Sequence, residues 1–327
     1  MEIALQQLIN GLVLGSIYAL VALGYTMVYG ILGLINFAHG EVVMVGALTA
    51  LTVMTKLVAS GVPIPLAILL GLLAAIVVCM LLGFSIERIA YRPLRNAPRL
   101  APLITAIGVS IVLQNLAMIF WGRNYHFFPE ILPTGQHIVG GATITNLQII
   151  IILVAVLMMA GLVLLVQHTR MGRAMRATAE NPQVARLMGV NIDRVISSTF
   201  ILGSALAAVA GILVAANYSI AHYHMGFILG LKAFTAAVLG GIGNLAGAVV
   251  GGLLLGIIES FGAGYISDLT NVCTLSNVLP LDSLCAANPT ISILGSNYQD
   301  VFAFFVLIVV LIFRPSGLLG EKVAERA

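Results

Sequence analysis

Long apolar runs, parted by short polar ones, dominate the hydropathy pattern of this chain. A helix needs about 20 mostly apolar residues to cross a bilayer. Runs of that kind lie near residues 5–30, 42–59, 64–86, 101–121, 147–167, 195–217, 226–242, 246–266 and 300–314. Their polar residues do not alternate with apolar ones, as the strands of an outer-membrane barrel would require. The pattern therefore predicts an all-α, polytopic helical membrane protein with about eight or nine membrane segments, organised as a single transmembrane domain over 1–327. The pair near 226–266 is broken by Gly240-Gly241-Ile242-Gly243-Asn244, a helix-interrupting run. Two spans, or a re-entrant hairpin shielded by other helices, both fit it. The first run lacks a basic leader and is too long for a signal peptide.

Composition agrees: 60% of residues are hydrophobic and 8% charged, with a mean hydropathy of +1.10. Soluble domains are about 25% charged, so a water-soluble globule is excluded. A nucleic-acid binder is excluded with it, and lipid is the expected surroundings. The basic residues then orient the chain. Twelve of the fifteen fall in 88–99, 170–194 and 314–326, and positive loops stay cytoplasmic. Loops 122–146 and 267–299 hold one Arg between them and face outward. Counting back three spans places the N-terminus outside.

The cytoplasmic loop 168–194 carries the clearest local signals. Asn181-Pro182 reads as an N-cap followed by proline at the first helical position, and Gly189 suits the position that ends a helix. One short helix over 182–188 follows, with Val184, Leu187 and Met188 on one face, Ala185 and Arg186 between them. An amphipathic helix resting on the membrane is one reading. A docking helix, ringed by Arg and laid in the groove of an acidic partner, is the other.

Other polar positions lie in or near spans. Asn36, His39 and Glu41 close the first span beside Gly40. The parity count puts them near the cytoplasmic interface, where interfacial capping is the favoured role. His39 and Glu41 are i, i+2 and point apart on a helix, so a metal site is not expected, nor at His222 and His224. Residues 226–264 hold 11 of the 34 glycines, including Gly240, Gly241 and Gly243. Their small-xxx-small spacing, repeated at Gly11 and Gly15, predicts close helix packing, within the chain or against a second membrane subunit. Glu259 and Lys232 share this segment; pairing, snorkelling and lining a path are all open, with snorkelling the default for Lys232. Cys79 reads as an apolar filler. Cys273 and Cys285 both sit in the outer loop 267–299, in an oxidising compartment, where a disulfide or two unpaired thiols are possible.

A phosphate-binding Gly-Lys-Ser/Thr loop is absent, as are HExxH and GxSxG. No nucleophile–base set is visible, so a non-enzyme is expected. A self-sufficient secondary transporter would need an internal repeat and an intramembrane ion site, and neither stands out.

Four stretches in order, GYTMVYGILGLINFAHGEVVMVGA, SIERIAYRPLR, RMGRAMRATAENPQVARLMGVNIDRV and GLKAFTAAVLGGIGNLAGAVVGGLLLGIIE, resemble the LivH-type permease of bacterial branched-chain amino-acid ABC importers. The likeness spans about residues 5–262 and resumes at FRPSGLLG. It favours that branch over permeases for urea and short amides. It implies a multi-pass protein of the bacterial cytoplasmic (inner) membrane, paired with a LivM-like second permease, two cytoplasmic ATPases and an extracytoplasmic binding protein. On this resemblance 182–188 is the coupling helix, ATP-Mg sits on the partner ATPases and no cofactor on this chain. Asn36, His39, Glu41, Gly240, Gly241, Gly243 and Glu259 would belong to the translocation path or the helix packing around it. The outer loop carrying Cys273 and Cys285 is longer than the family leads one to expect.

Overall fold

The computed structural model describes residues 2–95, 97–98, 100–129, 135–269 and 298–320. Cys273 and Cys285, with most of the outer loop 267–299, lie outside them. Among the described residues seven helices are long and apolar enough to cross a membrane, and two shorter apolar helices join them. The spans are α1 (Glu2–Leu32), α2 (His39–Ala59), α3 (Ile64–Ile86), α4 (Leu100–Trp121), α5 (Asn146–His168), α8 (Ile192–Tyr218) and α10 (Leu245–Leu269), with α9 (Met225–Gly240) and α11 (Gln299–Phe313) the shorter pair. Every apolar run read from the sequence has its helix. Four short strands, β1 (His126–Phe127), β2 (Gln136–Val139), β3 (Ala142–Thr145) and β4 (Ile220–Ala221), form two antiparallel pairs, β1 with β4 and β2 with β3.

Burial sorts the helices. From Gly15 to Val28 α1 is buried all round, and α8 is buried over most of its length. By contrast α3 buries only Ala67, Gly71, Ala75, Cys79, Gly83 and Ile86, mostly small residues four apart. Its other faces present Leu69, Leu73, Val77 and Leu81 outward, as lipid permits. Lipid supplies no hydrophobic drive between helices, so close backbone approach must hold them together. The tightest crossing is α1 on α10. A Cβ at Gly15 would stand 2.7 Å from the Leu253 Cα, and one at Gly256 2.2 Å from the Gly15 nitrogen.

The two ends of the bundle differ in charge as the sequence predicts. Gly30 and Ile31 of α1, Met175 and Arg176 of α6 (Arg170–Glu180), and Gly243 line one small cleft. The tail joins this end, Leu318 N–H and Leu319 N–H donating to the Leu239 and Gly240 carbonyls. Tyr91, beside the arginines of 88–95, donates to the Asn36 side chain there. At the opposite end the β2–β3 hairpin packs against the start of α1, where Gln6 accepts from Thr143 N–H at 2.8 Å and donates to the Thr143 carbonyl. The N-terminus thus lies away from the Arg-rich end.

Two expectations change. The sequence left the glycine-rich pair as two spans or a hairpin, and α9 proves to be a partial helix. Gly226, in its first turn, abuts Gly40 and Glu41, and Glu41 stands opposite Ser110 and Gln114 in the middle of α4. From there 16 residues reach about 24 Å, ending in the turn at Gly241 and Gly243 (φ +106° and +97°). The non-helical backbone before it is satisfied locally: Phe128 N–H donates to the Ser219 carbonyl, and β4 pairs with β1. Within a membrane such backbone is tolerated only where protein buries it or a cavity adjoins it.

The second change concerns Asn36, His39 and Glu41. Interfacial capping is overturned. The segment after Leu32 turns back into the bundle, so His39 packs against Gly24 and Glu41 is fully buried. Ala38, at the N-cap, makes no side-chain cap. A parity count places a residue by its distance along the chain and cannot see the backbone fold inward.

Candidate functional site

The Arg-rich end carries an exposed helix. Thr169 caps α6 through a hydrogen bond from Gly172 N–H, and α6 ends at Asn181. The Asn181 side chain then accepts from Gln183 and Val184 N–H at 3.0 and 3.1 Å, starting α7 (Pro182–Leu187) with Pro182 in its first turn. Beyond Met188, Gly189 takes φ +86°, and Val190 N–H closes on the Ala185 carbonyl at 3.0 Å. Both ends are therefore capped, and Ala185 alone of this helix is buried. Leu187 is 86% and Met188 81% exposed, with Val184 beside them and Arg186 on the surface. A rigid, doubly capped helix that turns its apolar face outward is arranged to be held by something else. Helix α6 was missed in the sequence because its apolar residues are few among arginines and small residues.

An ion-pair clamp lies behind α7. Asp193, at the start of α8, accepts from Arg92 and Arg95, each at 2.5 Å. Arg95 also pairs with Glu87, which is fully buried and accepts from Ser197 of α8 at 2.7 Å. Two arginines and two carboxylates thus tie the turn after α3 to the helix that follows α7. Removing Glu87 strips Arg95 of its buried partner, and breaking a buried pair from one side costs about 3 kcal/mol. Glu87→Ala is expected to lower the thermal midpoint of the detergent-solubilised chain clearly. Asp193→Asn, on a half-exposed carboxylate, is expected to cost under about 1 kcal/mol. Equal losses in both would refute this ranking.

Deeper in the bundle the polar residues read from the sequence separate into two groups. Asn36 accepts from Tyr91 at 3.1 Å, while one Glu41 carboxylate oxygen accepts from Ser110 at 3.1 Å and from Gln114 at 2.8 Å. His39 faces away from Glu41, towards Gly24 and the edge of the Tyr25 ring. Glu259 belongs to the second group. Lys232 reaches Glu259 at 2.8 Å and Asp300 of α11 at 2.7 Å, and Tyr18 donates its hydroxyl to the other Glu259 oxygen at 2.8 Å. Lys232 therefore does not snorkel; its side chain is 12% exposed and fully engaged inward. Gly240, Gly241 and Gly243 serve packing and the turn into α10, where Asn244 caps by accepting from Gly247 N–H. A cavity of about 240 Å³ adjoins Lys232 and Tyr18 on the side away from the Arg-rich end.

The family described as branched-chain amino acid transport system / permease component matches residues 7–311. The chain belongs to that family. This permease is 46% identical to the high-affinity branched-chain amino acid transport system permease protein BraD of Pseudomonas aeruginosa, over 98% of the chain and 97% of the relative. It is 44% identical to LivH of Escherichia coli over the same shares, and 25% identical to a probable LivH of Methanocaldococcus jannaschii over 95% and 91%. No solved structure matches it. As a permease with these spans it is a multi-pass protein of the inner membrane, and a transport component.

Sequence reasoning missed the clamp and the Lys232 bridge for one reason. Each joins residues that lie far apart along the chain: Glu87 to Asp193, Lys232 to Glu259 and Asp300. A lone Lys and a lone Glu within apolar runs were the available signal, since such charges pair or face water.

Proposed function

We propose that this permease forms the path by which branched-chain amino acids enter the cell in an ATP-driven importer, and that it carries no ATPase site of its own. A LivM-like second permease, two cytoplasmic ATPases holding ATP-Mg and an extracytoplasmic binding protein would complete the assembly. The near-full-length likeness to BraD and LivH supports the substrate class. The observation that carries the coupling reading is α7, capped at both ends with Leu187 and Met188 turned outward.

Mechanism follows from how α7 is mounted. It joins α6 to α8, and the clamp at Asp193 binds the start of α8 to the turn after α3. A groove on an ATPase that grips α7 and moves would displace α8 and, through Arg92 and Arg95, the end of α3. The buried α1, packed on α8 and α10, would then be the axis about which access alternates. Affinity purification from native membranes in gentle detergent, followed by mass spectrometry, tests the assembly. Recovery of two ATPases and a second permease, with ATP-dependent leucine uptake after reconstitution, is the expected result. The chain alone, with uptake independent of ATP, would overturn it.

A further inference from the structure

The cavity beside Lys232 is built at the junction of α1, α8 and α9. Its volume of about 240 Å³ equals roughly eight waters at about 30 Å³ each, below the ~300–1,000 Å³ of drug-sized sites. Aliphatic side chains form most of the wall, among them Ile17, Val214, Ile228 and Leu229, and the polar lining includes Tyr18, Tyr218 and Lys232. Among the lining residues only Lys232 carries a fixed charge. An ammonium has three donors; Glu259 and Asp300 take two, and the third has no partner among the described residues. Tyr18 gives its proton to Glu259, which leaves its oxygen lone pairs for a donor.

The partial helix α9 adds a second, independent feature. Met225, its first residue, lines the same cavity, and its N-cap residue His224 makes no side-chain cap. The opening turn thus brings unsatisfied N–H groups and the positive end of the helix dipole to the cavity wall. Behind Lys232 stand two carboxylates for one ammonium, a surplus of negative charge that tolerates a cation nearby.

We propose that this cavity is a binding site for a zwitterionic amino acid with a branched apolar side chain. Its carboxylate meets Lys232 and the N-terminus of α9, its ammonium meets the Tyr18 oxygen, and its side chain meets the wall at Ile17, Val214, Ile228 and Leu229. This rests on the substrate class proposed above and deepens it by giving the permease its own contact with the cargo.

Ile228 is half-exposed and lines the cavity, so it can be replaced without opening the core. In the full reconstituted importer, Ile228→Trp fills the cavity and is expected to lower leucine uptake at least tenfold, with subunit assembly unchanged. Separately, Ile228→Cys in membranes is expected to react with a thiol reagent at least fivefold more slowly in millimolar leucine than in millimolar glutamate. Wild-type leucine uptake by Ile228→Trp, or equal labelling in leucine and glutamate, would overturn the site. Lys232→Arg retaining uptake where Lys232→Met loses it would assign the charge rather than packing; equal uptake in both would overturn the role of Lys232. Absence of leucine uptake by the wild-type importer would sink the proposed substrate instead, and protection of Ile228→Cys by leucine would still decide the cavity.

Discussion

Leu187→Asp is expected to reduce amino-acid uptake by at least tenfold while leaving the amount of permease in the membrane unchanged. Leu187 is 86% exposed on α7 and makes no packing that the isolated chain needs. Surface changes of that kind move folding stability by no more than about 0.5 kcal/mol. A leucine buried in a partner groove contributes about 1.5–3 kcal/mol, and each 1.4 kcal/mol is tenfold in binding. Aspartate forfeits that term and carries a charge into the groove, which compounds the loss. Leu187→Met keeps volume and apolarity and is expected to stay near wild type. Uptake and ATP hydrolysis measured together in proteoliposomes distinguish the outcomes: lost uptake marks uncoupling, whereas Leu187→Asp at wild-type uptake refutes docking by α7.

Gly15→Leu is expected to prevent stable assembly of the permease. At that position a Cβ alone would come within 2.7 Å of the Leu253 Cα and 2.9 Å of its carbonyl oxygen. Both are backbone atoms of α10, so no side-chain rotation can relieve the contact. Overpacking a core costs about 1–3 kcal/mol where side chains adjust, and here two spans would have to separate along a seam that includes Gly11, Gly252 and Gly256. Gly161→Ala is the matched control, because nothing stands within 4 Å of its Cβ direction. Fluorescence-detected size exclusion of tagged variants reads the result. A monodisperse Gly15→Leu peak of wild-type height would show that the α1–α10 seam yields more than this geometry allows.

The legible and illegible parts of this protein divide along a physical line. Apolar runs announced each spanning helix, because a bilayer demands about 20 residues of low polarity and every backbone group satisfied within the segment. The Asn181-Pro182 and Gly189 signals located α7 within a residue, since caps act over three or four neighbouring positions. Small residues at Gly11, Gly15, Gly252 and Gly256 announced close packing, though not which helices would meet.

Depth and pairing could not be read that way. Asn36, His39 and Glu41 seemed to stand at an interface, yet the chain after Leu32 turns inward and places Glu41 opposite the middle of α4. Lys232 looked free to snorkel until α10 and α11 brought Glu259 and Asp300 to it.

The sequence by itself determined a helical membrane protein, its orientation, its family and its capped cytoplasmic helix, because each follows from local composition or from residues a few positions apart. Only the tertiary structure decided that α9 is a partial helix, that Glu87 and Asp193 share two arginines, and that a cavity opens beside Lys232. Those features depend on side chains separated by tens to hundreds of residues, and only the packed helices set the distances between them.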